Sequence, residues 1–157
     1  MTGTESAPNT ETSTLGHVVG LTDGHAVLDQ VDRIDELLGR GDVESLVGLF
    51  TETCVVHHPE GTARGRDELR QLAARVRRLP DGVQRLQTRK SVRDLPDGSL
   101  VVSSMSVMVE RDRAWLQGIP FEVWQDTFTA DAGGRWLVRE RWVERADGAP
   151  ELHGSAD

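Results

Sequence analysis

The residues of this chain best suited to chemistry lie between Glu122 and Phe128. Acidic and aromatic side chains take turns there at every second position. Side chains on a strand point alternately to opposite faces, so Trp124, Asp126 and Phe128 share one face if this segment is a strand. A carboxyl group between two aromatic rings is poorly solvated on a buried face. Poor solvation raises its pKa, so the group can exchange protons near neutral pH. We therefore predict that Asp126 is a catalytic acid or base. The alternative is an ion pair between Asp126 and an arginine of the neighbouring strand.

A second candidate is His58, which ends a run of small and β-branched residues and is followed by Pro59. Such a run predicts a strand on which His58 shares a face with Val56, whereas His57 points to the other face. An imidazole with its ordinary pKa of about 6.5 suits proton transfer near neutral pH. The alternative is a half-exposed histidine that only bonds the turn. Adjacent strand residues cannot chelate one ion together, so we expect no metal at His57 and His58.

The segment from Arg135 to Arg145 predicts the last strand and one further wall of a pocket. Strict alternation places Arg139 and Arg141 on one face of that strand. It places four residues on the other face: Trp136, Val138, Glu140 and Trp142. On the first helix, Asp29, Asp32 and Asp35 are expected to form a solvated acidic face. The alternative is that one of them looks into the cavity, and Asp35, beside Ile34, is the candidate. A curved sheet cupped against helices would bring these faces around a pocket lined by aromatic rings. The alternative is that the tryptophans are packed core.

Apolar periodicity predicts three helices in the first half of the chain and strands in the second. The first helix carries an apolar stripe from Ala26 to Leu38, with Asp23 as a possible cap. Asp42 is placed to cap the second helix, and the third opens at Gly65. The strands are expected at Cys54 to His58, Val83 to Leu95, Ser99 to Arg111, Ala114 to Ala130 and Arg135 to Arg145. Helices followed by strands indicate an α+β domain with an antiparallel sheet packed on helices.

Composition limits the functions that this chain can have. The 157 residues suffice for one domain, expected at 22–145, between flexible tails at 1–21 and 146–157. A net charge of -8 argues against binding to nucleic acid. No apolar run approaches the ~20 residues of a membrane span, and the N-terminus lacks the features of a signal peptide, so we expect a cytoplasmic protein without membrane contact. The single cysteine, Cys54, excludes an internal disulfide.

The order of these features resembles one known family. They are Gly-Asp-Val at 41–43, Leu-Phe at 49–50, a strand that ends in x-Pro-x-Gly at 58–61, Gly-Arg-Asp at 65–67 and a final hairpin. Together they resemble the SnoaL-like (polyketide cyclase-like) branch of the nuclear transport factor 2-like superfamily, over about Thr22 to Arg145. The resemblance implies an α+β fold in which a cone-shaped, curved mixed or antiparallel sheet wraps around three N-terminal helices and encloses a pocket. This scaffold hosts both enzymes and non-catalytic binders.

The resemblance also implies roles for particular residues. His58 falls where ketosteroid isomerases of this superfamily place a catalytic aspartate before a proline. The tyrosine that stabilises the oxyanion in those isomerases corresponds to Ile34, which cannot donate a hydrogen bond, so their mechanism is not expected. Asp126 resembles the acid of an Asp-x-Phe segment in polyketide cyclases. Two alignments of the closing strand are possible, and they assign either Glu140 or Arg141 to the recurring position.

The leading hypothesis is a cofactor-independent acid/base enzyme that acts on a hydrophobic, carbonyl-bearing intermediate, such as a polyketide in secondary metabolism. Cyclase, isomerase and dehydratase (lyase) activities all fit, with Asp126 and His58 as proton carriers. A non-catalytic binding or dimerisation module is the alternative, with Asp126 bound to arginine and His58 facing solvent. Epoxide hydrolysis by an Asp-Arg-Asp set ranks lower, because strand alternation turns Arg139 and Arg141 away from Asp126. In each case the open sheet face favours a homodimer.

Overall fold

The computed structural model describes residues 20–76, 83–110 and 121–146. It contains the helices α1 (Leu21–Arg40), α2 (Val43–Val47) and α3 (Gly65–Arg75), and the strands β1 (Phe50–His58), β2 (Gly61–Arg64), β3 (Val83–Asp94), β4 (Leu100–Glu110), β5 (Phe121–Ala130) and β6 (Trp136–Ala146). The sequence predicted these elements apart from β2, which pairs with β1 across the turn that follows His58. The expected tails, the end of the third helix and the start of the strand before Ala130 lie largely outside the described residues.

The strands form one curved sheet in the order β2-β1-β6-β5-β4-β3. β1 and β6 run parallel, and every other neighbouring pair among the described strands is antiparallel. The parallel pair places the first strand of the chain beside the last, so residues far apart in the sequence meet at the centre of the sheet. The predicted α+β class with a curved mixed sheet is confirmed.

Helix α1 supplies much of the core that the sheet surrounds. Its apolar stripe of Val27, Val31, Ile34 and Leu37 is fully buried, and each such side chain contributes roughly 1.5–3 kcal/mol on leaving water. The helix ends at Gly41, whose left-handed φ of 68° suits glycine. It begins at Leu21 with no side-chain cap, so the prediction of Asp23 as its cap is wrong.

The second helix begins as its sequence predicted. The Asp42 carboxylate accepts a hydrogen bond from the backbone N–H of Ser45 at 3.1 Å, which satisfies one of the free donors at the start of α2. Leu46 and Val47 of this short helix are buried against the core. The cap thus fixes the turn between α1 and β1, where the buried ring of Phe50 starts the strand.

A β-bulge in β6 sets the direction of its side chains. Thr127 pairs with Glu140 and Phe128 with Val138, so Arg139 is an extra residue that β5 does not match. An extra residue resets the alternation of the strand. As a result, Arg141 is 3% exposed on the inner face of the sheet, and Trp142 is 44% exposed on the outer face. The prediction that Glu140 and Trp142 share the inner face with Val138 is therefore wrong, as is the prediction that Arg141 points away from it.

Candidate active site

Charged and polar side chains from five elements meet inside the sheet, and we call this group the interior cluster. Two arginines of β6 and one of β3 contribute the positive charge, and α1 and β5 contribute three carboxylates. An indole and an imidazole complete the group. The interior cluster consists of Asp35 on α1, His58 on β1, Arg85 on β3, Glu122, Trp124 and Asp126 on β5, and Arg141 and Arg145 on β6. Buried charges of this kind are costly without partners, so their contacts define what the cluster can do.

Asp126 and Arg141 form the most deeply buried ion pair of the interior cluster. They face each other directly on β5 and β6. Arg141 donates two parallel hydrogen bonds to the carboxylate, at 2.5 and 2.8 Å. The Asp126 side chain is 0% exposed and the Arg141 side chain 4%. Both oxygens of Asp126 are thus engaged by a two-pronged pair that fixes the arginine in one orientation.

Glu122 is held by three donors. The indole Nε1 of Trp124 donates to its carboxylate at 3.1 Å, Arg85 lies 3.5 Å away and Arg145 lies 3.4 Å away. The guanidinium carbons of Arg85 and Arg141 lie 4.9 and 4.5 Å from the Trp124 ring centroid, within the range of cation–π attraction. Trp124 therefore links the ion pairs of Glu122 to the pair of Asp126 and Arg141.

Asp35 is the least restrained acid of the interior cluster. Its carboxylate contacts Arg85 at 3.4 Å, and its side chain is 20% exposed. Burial raises the pKa of Asp35 above its ordinary value, and the positive charges of Arg85 and Arg141 only partly oppose this. The structure thus places Asp35 inside the sheet, which is the alternative that the sequence left open for it. A carboxyl group with a raised pKa exchanges protons more readily near neutral pH.

His58 lies half-buried at the end of β1, on the same face as Val56, as alternation predicts. Its Nδ1 accepts a hydrogen bond from the backbone N–H of Glu60 at 3.1 Å. A ring nitrogen that accepts carries no proton, so the neutral ring carries its proton on Nε2. Burial lowers the pKa of His58, and the charges of Glu122 and Glu60 only partly oppose this. Near neutral pH the imidazole is therefore an uncharged Nε2–H donor.

Four polar atoms beside the charged groups are shielded from solvent and have no hydrogen-bond partner in the described part of the chain. They are Nε of Arg85, the amide oxygen and nitrogen of Gln87, and Oγ of Ser106. Buried side-chain polar atoms almost always have partners, and exceptions call for an explanation. Sequence reasoning missed Arg85 and Gln87, because both flank the apolar Leu86, and alternation gives no reason to turn polar residues inward in its place.

The remaining predicted site residues lie elsewhere. Val56 and Phe128 are buried in the apolar core beside the cluster. Trp136 packs against the edge of that core, and its Nε1 donates to Asp23 at 3.3 Å. On the outer face, Trp142 stacks on His57 with ring centroids 3.6 Å apart, and Glu140 lies 3.4 Å from Nε2 of the same histidine. Trp142 thus does not reach the interior cluster.

The outer face also carries a shallow groove of about 250 Å³, lined by Ser103, Val123, Trp124, Gln125, Trp142 and Glu144. Among the described residues, no three side chains of the metal-binding types come together to hold an ion. None of the helices in residues 20–76, 83–110 and 121–146 has the length and apolar character needed to cross a bilayer.

Comparison with known proteins identifies the family to which this chain belongs. The model of the SnoaL-like domain matches residues 31–139, so the chain belongs to that family, as its sequence pattern predicted. Arg141 and Arg145 lie beyond the matched segment. Among curated proteins, none matches the chain significantly.

Three solved structures illustrate how widely this fold is used. ActVI-ORFA from Streptomyces coelicolor is 20% identical, with a TM-score of 0.61 over 77% of this chain and 95% of its own. A putative scytalone dehydratase from Novosphingobium aromaticivorans is 20% identical, with a TM-score of 0.62 over 85% of this chain and 94% of its own. The S. rosetta CaMKII hub is 16% identical, with a TM-score of 0.64 over 82% of this chain and 99% of its own. At these identities the likeness concerns the fold alone.

Proposed function

We propose that this protein is a cofactor-independent acid/base enzyme that moves a proton at a carbon next to a carbonyl group. Its substrate class is a hydrophobic, carbonyl-bearing small molecule, such as a polyketide intermediate of secondary metabolism. Cyclisation, isomerisation and dehydration can all begin with that proton transfer, so the proposal covers cyclase, isomerase and lyase outcomes. Membership of the SnoaL-like family and the fold shared with ActVI-ORFA and the putative dehydratase support it.

The observation that carries the proposal is that Asp35, which contacts Arg85 at 3.4 Å, and His58 both feel the charge of Arg85 in a buried setting. Burial raises the pKa of Asp35 and lowers that of His58. Near neutral pH, one group is thus a strengthened base and the other an uncharged donor, as expected where environments separate an acid from a base. We assign the removal of the proton to Asp35. The Nε2–H of His58 and the Arg85 guanidinium would stabilise the enolate oxygen that results.

Asp126, the acid that the sequence favours, has a different role in this proposal. Both of its oxygens accept hydrogen bonds from Arg141, so neither is free to take a proton from a substrate. We assign to Asp126 the positioning of Arg141, whose positive charge adds to the field that favours an enolate. The apolar walls beside the cluster, Val56, Trp124 and Phe128, would hold the hydrophobic part of the substrate and exclude water.

Epoxide hydrolysis is a second candidate, favoured by one specific observation. The bulge at Arg139 brings Arg141 to the inner face, where it bonds Asp126 and its charge acts on Asp35. This is an Asp-Arg-Asp set, although strict strand alternation predicts that Arg141 points away from it. Asp35 would take a proton from the attacking water, Asp126 would hold Arg141 so that its guanidinium polarises the epoxide oxygen, and the opened oxygen would take a proton from solvent.

A non-catalytic binding module makes a different set of predictions. It predicts the ion pair between Asp126 and arginine, which is present, and an outward-facing His58, whereas His58 lies half-buried beside Glu122.

We also propose that the protein is a homodimer whose interface is the outer sheet face. Val123, Trp142 and Leu86 on that face are 40%, 44% and 49% exposed, and exposed large apolar residues on one face are typical of an interface.

Isotope exchange tests the enzymatic proposal before the final product is known. The protein is incubated in deuterium oxide with a panel of cyclic ketones and aromatic polyketides, and loss of the α-proton signal is followed by NMR. We expect exchange above the buffer rate for at least one compound. Asp35→Asn should slow that exchange by about 10²–10⁴-fold, the usual contribution of a general base.

The matched control is Asp29→Asn, which changes an exposed acid on the same helix and should leave the rate unchanged. If Asp35→Asn exchanges the proton as fast as the unmodified protein does, Asp35 is not the base. Ring opening of an epoxide panel without any α-proton exchange would favour the second candidate. Tight binding without either reaction would favour the non-catalytic module.

A further inference from the structure

The unpartnered polar atoms beside the interior cluster form a compact patch. Gln87 and Ser106 are direct partners across β3 and β4, and Ser106 is in turn the partner of Glu122 on β5. Side chains of such partners lie about 4.5–5.5 Å apart. Arg85 is two residues from Gln87 on the same strand, and so on the same face. We call Arg85, Gln87 and Ser106 the amide patch.

The amide patch has a defined hydrogen-bonding capacity. Nε of Arg85 and the amide nitrogen of Gln87 can only donate, the amide oxygen of Gln87 can only accept, and the Ser106 hydroxyl can do both. None of these atoms is satisfied within the described residues, although Gln87 and Ser106 face each other. A buried amide that bonds nothing destabilises the fold, because its hydrogen bonds to water are lost without replacement. A ligand group that fills the patch would remove this destabilisation.

The charges around the amide patch indicate a neutral ligand group. Arg85, Arg141 and Arg145 are matched by the carboxylates of Asp35, Glu122 and Asp126, each within an ion pair of the described structure. A carboxylate ligand would add a negative charge to this balanced set and would leave the Gln87 oxygen without a donor. A neutral group with a donor beside an acceptor would satisfy both ends of the Gln87 amide.

We propose that the amide patch is a specificity subsite that binds a neutral group carrying a hydrogen-bond donor next to an acceptor, such as a carboxamide, a lactam or a hydroxy-carbonyl. Gln87 is the residue that determines this preference. The subsite deepens the proposed function, because it would anchor one end of the substrate while Asp35 and His58 act on the other.

Binding of three matched probes tests the subsite without any turnover. The probes are 2-naphthamide, methyl 2-naphthoate and 2-naphthoate, which share one ring system. The amide offers a donor and an acceptor, the ester acceptors only, and the carboxylate acceptors with a negative charge. We expect calorimetry at pH 7 to show that the amide binds about tenfold more tightly than either of the others, which corresponds to about 1.4 kcal/mol.

Gln87→Leu should abolish that preference and raise the thermal midpoint, because an apolar side chain replaces an unpaired buried amide. A merely structural glutamine would lower the midpoint instead. Ser106→Ala is a smaller change and should partly reduce the preference for the amide. It takes the place of Gln87→Leu in this test if that variant does not fold. The matched control Gln125→Leu alters a glutamine on the outer face and should leave the preference intact.

Three results would overturn the subsite: equal binding of amide and ester, tightest binding of the carboxylate, or no binding of any probe. The same experiment separates this inference from the proposed function. Asp35→Asn should retain the preference for the amide over the uncharged ester while it loses proton exchange. If the protein prefers the amide but catalyses no proton exchange, the subsite stands and the enzymatic proposal fails. If it catalyses exchange without preferring the amide, the enzymatic proposal stands and the subsite fails.

Discussion

At the scale of single residues, the two acids Asp35 and Asp126 show that burial alone does not make a proton carrier. Asp126 is the more deeply buried, yet Arg141 occupies both of its oxygens, whereas Asp35 has one longer contact with Arg85. A base needs a free oxygen as well as a suitable pKa. The partners of each carboxylate therefore decide which of them is available for chemistry.

We expect Asp126→Asn to lower the free energy of unfolding by about 3–5 kcal/mol, because it leaves the buried Arg141 without a countercharge. Urea denaturation at pH 7 measures the change. The matched double variant, Asp126→Leu with Arg141→Met, removes both charges and should be far closer to the unmodified protein in stability. If the single and double variants are equally destabilised, the cost lies in the packing of the site and the ion pair does not explain it.

Single residues also show what the sequence could predict about the site. Asp126, Trp124 and Phe128 were found because one polar position alternates with aromatic ones, and Asp35 because it adjoins the buried Ile34. Arg85 and Gln87 give no such signal, since they are polar and flank the apolar Leu86. A polar side chain that faces an interior cluster differs from a solvated one only in its tertiary surroundings, which periodicity does not encode.

At the scale of the elements, the bulge in β6 explains which part of the site was wrongly predicted. The helices and most strands follow from apolar period and turn residues, but the extra residue Arg139 inverts the faces of Glu140, Arg141 and Trp142. A one-residue slip moves every later side chain to the other face of a sheet. The sequence around Arg139 carries no glycine or other sign of a bulge, so strict alternation was the only available rule.

The turn between β3 and β4 is connected to this bulge by Asp97. Its carboxylate accepts hydrogen bonds from the hydroxyl and backbone N–H of Ser99 and from Arg139, which together lower the pKa of Asp97 from 3.8 to about 2. Because the folded pKa is the lower one, this stabilisation is complete above about pH 4 and disappears as the pH falls through 2.

We therefore expect Asp97→Asn to be less stable than the unmodified protein at pH 7, and the difference to shrink steadily between pH 4 and pH 2. Urea midpoints measured across this range test the expectation, with the exposed Asp29→Asn as the control that shows no such trend. A difference that stays constant down to pH 2 would mean that the turn does not depend on the ionised carboxylate.

At the scale of the whole molecule, the two faces of one sheet differ in chemical character. The inner face carries the ion pairs and the amide patch, and the outer face carries exposed apolar residues, the groove and the His57–Trp142 stack. The bulge at Arg139 directs each residue of β6 that follows it to one face or the other. The proposed dimer and the proposed chemistry can therefore be tested by substitutions on opposite faces.

We expect the protein to sediment as a dimer at micromolar concentration, and Trp142→Glu or Val123→Glu to yield a monomer, because a charge cannot be buried in an apolar interface without a partner. Gln71→Glu adds the same charge on the exposed surface of α3 and should leave the dimer intact. A charged variant that sediments with the unmodified protein would place the interface elsewhere. The outer face contributes no side chain to the interior cluster. The monomeric variants should therefore retain α-proton exchange within a few-fold of the rate of the unmodified protein. A loss of exchange that accompanies dissociation would show that the site depends on the second subunit.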